Sequence, residues 1–197
     1  MSLLIQPNSG ALHKVIIEER IQQMDKFQDQ TYCGNGIDIK SGKNFKYAMI
    51  TDGHGKNDCI DILRNISKDE MGIILGHPEP VLNLSKYICD KIPFERWIGT
   101  GATMCLAKIF NDHIDCINCG DSQMAVFKDG VLIYLSEKHN WKNSKEKQRL
   151  FSMNSSIKFE ATTSFNVINE THMVGNYSEY AVWPDYQRLA CTQALGH

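Results

Sequence analysis

Apolar and polar residues alternate with clear periods in the first half of the chain. The run "FKYAMIT" (45–51) has the composition of a buried strand, and we expect this strand to end at a turn formed by "DGHG" (52–55). Apolar residues at helical spacing follow, which predicts a helix capped by Asn57 or Asp58. A second helix is predicted in "PVLNLSKYICDKI" (80–92), with its proline near the start.

From residue 102 the pattern changes to short strand-like runs separated by short turns. These runs are "ATMCLAKIF", "HIDCINC", "QMAVFK" and "VLIYLS". The sequence Lys128-Asp129-Gly130 between the last two is typical of a tight hairpin turn. Consecutive strands joined in this way predict an antiparallel meander rather than a βαβ array.

Three further segments complete the pattern. "SKEKQRLFSM" (144–153) predicts a helix with Ser144 as its cap, and residues 154–185 are polar, which predicts irregular structure with weak strand signals. "HKVIIEERI" (13–21) suits either a strand or a helix. The whole pattern predicts an α+β fold in which helices cover antiparallel sheet.

Composition indicates one ordinary globular domain spanning residues 1–197. The chain is 42% hydrophobic and 22% charged, with a formal net charge of -2 and no basic stripe, so we expect no nucleic-acid partner. No apolar run approaches the roughly 20 residues of a membrane span, and the first residues lack the features of a signal peptide. We therefore expect an intracellular, cytoplasmic protein that does not bind membranes.

The seven cysteines are odd in number and scattered, which favours reduced thiols. Cys116 and Cys119 have a spacing that some zinc sites use. They fall on a predicted strand, where residues three apart face opposite sides, and no second pair is placed to complete four ligands. We expect both to be small core residues and no zinc to bind.

Candidate chemistry lies where strands end. Asp52 and Asp121 each follow an apolar run and each adjoins a glycine. Carboxylates in such positions suit hard divalent cations. Asp-Gly pairs are also common in ordinary turns, and Asp129-Gly130 is assigned no role other than a turn. His54 makes the first site more specific, because an imidazole beside a metal carboxylate can serve as a proton donor.

An ordered set of motifs resembles the metal-dependent protein phosphatases of the 2C type. "DGHG" matches the family's Asp-Gly-His-Gly, and "FQDQ" (27–30) lies near its acidic N-terminal motif. The later segments that agree in order and spacing are "GTGATMCLAKI", "INCGDSQMAVFKDG", "LSEKHN", "KEKQRLFSM" and "LACTQALGH". Such an ordered series is far more specific than any one motif.

The resemblance implies a β-sandwich flanked by helices, with Mg²⁺ or Mn²⁺ ions at one end of the sandwich and a metal-activated water as nucleophile. Asp52 would bridge two metals and the carbonyl of Gly53 would contact one of them. Asp121 would serve a further, weaker metal position, and Asp29 would lie near the metal waters. His54 would be the general acid for the departing serine or threonine oxygen.

Several positions depart from the family pattern. Gln28 stands where many relatives carry glutamate, Met24 where relatives carry a phosphate-gripping arginine, and Gln123 and Gln193 replace arginines. Further departures are Lys56 for a second glycine after DGHG and His197 for the last aspartate. The sequence also ends at 197 before the family's Asp-Gly-x-x-Asp and Asp-Asn segments. A truncated domain of this kind is expected to bind Mg²⁺ or Mn²⁺ weakly, because affinity follows the number of charged ligands.

Three hypotheses remain open. The chain is a protein serine/threonine phosphatase domain with weak or lost activity, or a pseudophosphatase module that binds phosphoproteins or a phosphatase's partners. The third hypothesis is a fragment whose remaining C-terminal part would restore a working enzyme. We expect a phosphorylated protein as substrate or partner or, under the second hypothesis, a partner of a phosphatase.

Overall fold

The structure is a computed structural model that describes residues 27–96, 99–153, 156–169, 172–182, 188–189, 191 and 193–195. The predicted α+β class is confirmed: four α-helices and three antiparallel sheets occur in these residues. The ambiguous segment 13–21 lies outside them. The strands are β1 (Asp29–Ile37), β2 (Asn44–Gly55), β3 (Thr100–Ile109), β4 (Ile114–Cys119), β5 (Ala125–Lys128), β6 (Val131–Leu135), β7 (Lys158–Asn169), β8 (His172–Val182) and β9 (Arg188–Leu189). The helices are α1 (Asp58–Arg64), α2 (Lys68–Leu75), α3 (Pro80–Cys89) and α4 (Ser144–Met153).

The main sheet has the strand order β1-β2-β3-β4, and every neighbouring pair is antiparallel. Strand β3 is buried along its whole length. On β2 the side chains of Phe45, Tyr47 and Met49 are buried in one core with residues of the three helices that follow, because successive residues of a strand face opposite sides. Helix α1 packs against β3 and α2 against β1. The sheet is thus a rigid support for the groups at its ends.

The four runs after residue 102 form the predicted strands but not one meander. Strands β3 and β4 belong to the main sheet, whereas β5 and β6 form a separate two-stranded sheet. The meander prediction was wrong because the segment between β4 and β5 bonds to residues 136–139 instead of making a tight turn. The predicted turn at Asp129-Gly130 is confirmed, and both residues have positive φ. Large apolar side chains of this two-stranded sheet are exposed, namely Phe127, Val131, Leu132, Ile133, Tyr134 and Leu135.

Two sequence predictions about local structure need correction, and one helix was missed. The segment 154–185 was predicted to be irregular, but within it Lys158–Asn169 and His172–Val182 form the paired strands β7 and β8. Ser144 is the first helical residue of α4 rather than its cap, and the Oδ1 of Asn143 accepts the Lys145 N–H at 3.1 Å. Helix α2 was missed, although Ser67 caps it by accepting from the Glu70 N–H at 3.2 Å.

A buried ion pair joins the turn between β1 and β2 to strand β3. Lys108 on β3 is 4% exposed at its side chain, and its Nζ lies 2.9 Å from Oδ2 of Asp38, which is 15% exposed. The same Nζ lies over the rings of Phe45 and Phe110, at 4.6 and 5.8 Å from their centroids. The other carboxylate oxygen of Asp38 accepts from the Ser41 N–H at 2.8 Å and closes the turn. Asp38 therefore joins the hairpin turn to the buried side of the sheet.

Candidate functional site

Asp29 and Asp52 form a cross-strand pair at one end of the main sheet. They are opposite each other in the β1–β2 register, and residues directly opposite in antiparallel strands project on the same side. Strand β2 does not end at residue 51, as the sequence suggested, but runs through the whole DGHG motif to Gly55. The reason is that residues 52–55 continue to pair with β3. A strand, and not a turn, therefore orients the Asp52 carboxylate.

Asp121 contributes a third carboxylate to this end of the sheet. Partial burial, the charge of Asp29 and the charge of Asp121, in that order, raise the pKa of Asp52 above its usual value. A hydrogen bond with the Asp29 side chain raises it further. The charges of Asp29 on β1 and of Asp121 in the loop after β4 thus both act on Asp52 on β2. Such a cluster concentrates negative charge that a cation would relieve.

His54 and Gly53 adjoin Asp52 on the same strand. His54 is half-buried and lies two residues after Asp52, so its side chain projects on the same side of the sheet. Gly53 is buried between them, and its N–H donates to the backbone oxygen of Gln28 at 3.2 Å. The His54 imidazole and the Asp52 carboxylate therefore lie on the same face of the sheet. The hydrogen bond of Gly53 joins their strand to the segment that carries Asp29.

The end of the DGHG strand is held by buried polar side chains. Gln28 is 6% exposed, and its Nε2 donates to the Gly55 carbonyl at 3.1 Å and to Oδ1 of Asn57 at 2.7 Å. The hydroxyl of Thr100 accepts the Cys59 N–H at 2.9 Å and donates to the Lys56 carbonyl at 3.0 Å. Asn57 is the cap residue of α1, as predicted, but its side chain is directed to Gln28 and makes no capping hydrogen bond.

The loop that carries Asp121 is pressed against the same sheet. Gly120 has φ of +105°, and a Cβ there would lie 2.6 Å from side-chain atoms of Thr103. Thr103 is the register partner of Asp52 on β3. Its hydroxyl also forms a 2.6 Å hydrogen bond with the hydroxyl of Ser122. Thr103 is therefore the structural link between Asp52 and the Asp121 loop.

The opposite side of the Asp121 loop is bound by residues 136–139, which the sequence analysis did not single out as functional. The N–H of Gly120 donates to Nδ1 of His139 at 3.3 Å, and the N–H of His139 donates to the Gly120 carbonyl at 2.9 Å. Nδ2 of Asn118 donates to the Gly120 carbonyl at 3.2 Å and to the Glu137 carbonyl at 2.8 Å. The motif "LSEKHN" was the available sequence signal for these residues, because it contains them and follows the Asp121 segment in the order of the family's motifs.

The glutamines that replace family arginines make structural hydrogen bonds. Nε2 of Gln123 donates to the Ser136 carbonyl at 3.1 Å. Nε2 of Gln193 donates to Oε1 of Glu146 at 3.0 Å, and Glu146, which is 7% exposed, also accepts from Arg149. Lys56 is exposed. Met24 and His197 lie outside the described residues.

The fit of a divalent cation to these side chains is incomplete. Within the described ranges, no group of three or more His, Cys, Asp or Glu side chains is arranged to hold a metal ion. The neighbouring oxygens of Asp29 and Asp52 nevertheless suit Mg²⁺, which keeps several waters and binds through one or two carboxylates. The donor set therefore fits a weakly held, largely hydrated ion and not a closed protein cage.

Cys119 and Cys191 lie in the interior, as expected for Cys119, whereas Cys116 is not fully buried, contrary to the expectation from the sequence. Burial raises the pKa of Cys119 to about 11 and that of Cys191 to about 12, and the charge of Asp121 contributes to the latter. Cys116 is half-buried on β4. All seven cysteines are free thiols in the structure.

Comparison with known proteins identifies the family. The family model of protein phosphatase 2C matches residues 86–196, which is more than half of the chain, and the chain belongs to this family. The match begins after the DGHG motif and includes Asp121 and the LSEKHN segment. A search of curated proteins found no match. None of the helices in the described part of the chain has the length and apolar composition needed to cross a membrane.

Proposed function

We propose that residues 1–197 are a single domain of a metal-dependent protein serine/threonine phosphatase, with Asp29, Asp52 and Asp121 as its metal-binding carboxylates. The observation that carries the proposal is the register pairing of Asp29 with Asp52, next to which the Asp121 loop packs against Thr103. Membership of the protein phosphatase 2C family supports phosphorylated proteins as substrates. We propose that hydrolysis by this chain is weak or lost.

Each side chain has a stated part in this proposal. Asp52 and the Gly53 carbonyl would bind Mg²⁺ or Mn²⁺, with Asp29 near the metal waters and Asp121 at a further, weaker position. The ion would supply an activated water and positive charge next to the substrate phosphate. His54 would donate a proton to the departing serine or threonine oxygen, since it projects on the same side of the sheet as Asp52.

Low activity is expected because positioned positive charge is scarce. Phosphoryl transfer is catalysed by charge and by donors held around the transferring oxygens. Gln123 and Gln193 are neutral, and both bond to other parts of the protein. The loss of one preorganised donor costs about 10²–10³ in rate in a well-studied hydrolase. Several such losses leave little rate above background, although they do not add independently.

A second candidate function is a catalytically inactive module that binds phosphoproteins or partners of a phosphatase. The observation that favours it is the incomplete metal site, since no three-donor group occurs in the described part of the chain. A protein of this kind would retain the family fold and bind a partner without hydrolysis.

The test is hydrolysis of an aryl phosphate with excess Mn²⁺, compared among the wild type, Asp52→Ala and His54→Ala. We expect a very slow wild-type rate that requires Mn²⁺ and falls further in both variants. Equal, negligible rates in all three would refute the enzyme and leave the binding module ahead. In that case, calorimetry with a phosphoserine peptide and its unphosphorylated form tests the second function.

A further inference from the structure

The segment 136–139 is bound to the Asp121 loop more closely than two consecutive loops require. Two hydrogen bonds in opposite directions join Gly120 and His139, one through the backbone and one through the imidazole. Met124 and Ser136 are joined in the same reciprocal way, at 2.8 Å in each direction. The loop is therefore held at both of its ends.

The imidazole bond has a defined direction. Gly120 N–H is a donor, so Nδ1 of His139 must be the acceptor and carries no proton in this arrangement. The left-handed φ of Gly120 and its contact with Thr103 leave this residue little freedom to move toward the sheet. The side chain of His139 restrains it from the other side.

We infer that His139 is a positioning residue for Asp121, which it controls through the Gly120 amide without contributing a ligand itself. The importance of this role for metal binding rests on the proposed function. Asp121 directly follows Gly120, and its carboxylate is one of the charges that act on Asp52. A change in the Gly120 amide is therefore passed directly to the third carboxylate of the site.

Two substitutions separate the acceptor from the bulk of the side chain. In His139→Asn, the side-chain oxygen occupies the branch position of Nδ1 and can accept the Gly120 N–H, whereas His139→Leu fills the space without an acceptor. His113→Leu is the matched control. His113 is exposed, hydrogen-bonded to Asp112, and located at the other end of β4.

The first experiment needs no metal. Amide hydrogen exchange measured by NMR should be at least tenfold faster at Gly120 in His139→Leu, close to wild type in His139→Asn, and unchanged in His113→Leu. Equal protection of Gly120 in the leucine variant and the wild type would overturn the inference. So would equal acceleration in the leucine and asparagine variants.

The second experiment measures Mn²⁺ affinity by calorimetry in a double-mutant cycle with Asp121→Asn. His139→Leu should weaken Mn²⁺ binding several-fold in the wild-type background and have no further effect when Asp121 is already asparagine. Additive losses would show that His139 does not act through Asp121. A wild type without Mn²⁺ binding would count against the proposed function, and the exchange experiment would then decide the positioning role alone.

Discussion

Substitution of Asp38 by asparagine removes one charge from the buried pair with Lys108 and leaves the hairpin turn intact. Asparagine keeps a side-chain oxygen that can accept the Ser41 N–H, which Asp38 accepts at 2.8 Å. The shape of the side chain is nearly unchanged. The substitution therefore removes both the charge and the oxygen that accepts from Lys108, and it keeps the acceptor of the turn.

The expected loss follows from the pKa of Asp38. The hydrogen bond from Lys108, with those from Ser41, lowers this pKa from 3.8 to about 2. A shift of one unit corresponds to about 1.4 kcal/mol, and the 15% exposure of the Asp38 side chain reduces the effect of the charge somewhat. We expect Asp38→Asn to lower the free energy of unfolding by about 2 kcal/mol at pH 7.

The pH dependence has a definite sign. Because the folded pKa lies below the unfolded value, the stabilisation is present above about pH 4 and disappears as the pH falls toward 2. The difference between wild type and Asp38→Asn should thus be constant from pH 7 to 5 and shrink at pH 3. Urea unfolding followed by tryptophan fluorescence, to which the buried Trp141 contributes, measures this difference.

Asp112→Asn is the matched control. Lys43 and His113 lower the pKa of Asp112 to about 2 as well, and Lys43 Nζ lies 3.0 Å from its carboxylate. The side chains of Lys43 and Asp112 are both more than half exposed, so solvent screens this pair and we expect little change in the free energy of unfolding. Equal effects of the two substitutions would refute the argument that burial of Lys108 makes the Asp38 charge important.

Two further predictions concern the site. Gly55→Ala should lower the free energy of unfolding by more than 2 kcal/mol, because Gly55 has φ of +73° and a Cβ there would collide with the Gly99 carbonyl. The control is Gly42→Ala, because Gly42 has φ of +69° but no atom would lie close to its Cβ. This substitution should cost only about 1 kcal/mol in the same denaturation assay. Asp52→Asn should leave the melting temperature unchanged or raise it at neutral pH, since it removes a charge that burial and Asp29 disfavour, and a clearly lower melting temperature would contradict this account.

Strands β2, β3 and β4 of the main sheet could be predicted from their apolar runs, whereas β1, which is half-buried over most of its length, was missed. The apolar run at residues 45–51 indicated β2, in which Phe45, Tyr47 and Met49 lie in the core. Helices α1 and α3 were predicted because their apolar residues recur at helical spacing. Helix α2 was missed because its apolar residues are nearly consecutive and show no helical spacing. The capping sequence Ser67-x-x-Glu70 was the better indication that a helix begins there.

Pairing between polar strands could not be predicted. Strands β7 and β8 are polar over much of their length, and their regular structure comes from backbone hydrogen bonds to each other. Backbone pairing has no signature in composition unless one face is apolar. The prediction of irregular structure for this region failed on that point.

The candidate carboxylates could be proposed from the sequence, but their supports could not. Asp52, His54 and Asp121 lie in motifs with unusual composition. Gln28 and His139 act through hydrogen bonds to the backbone of residues that are distant in the chain. Such bonds depend on the folded position of both partners, so no local pattern reports them.

The β1–β2 register has a consequence for insertions and deletions. Asp29 and Asp52 lie at the open end of a hairpin whose turn, residues 38–43, is eight strand positions or about 27 Å away. Removal of one turn residue would shift one strand by one position relative to the other, and the acidic side chain of that strand would then project on the opposite side of the sheet. The length of this distant turn is thus as much a part of the acidic site as the aspartates themselves, and a chain could lose the pair with every aspartate still present in its sequence.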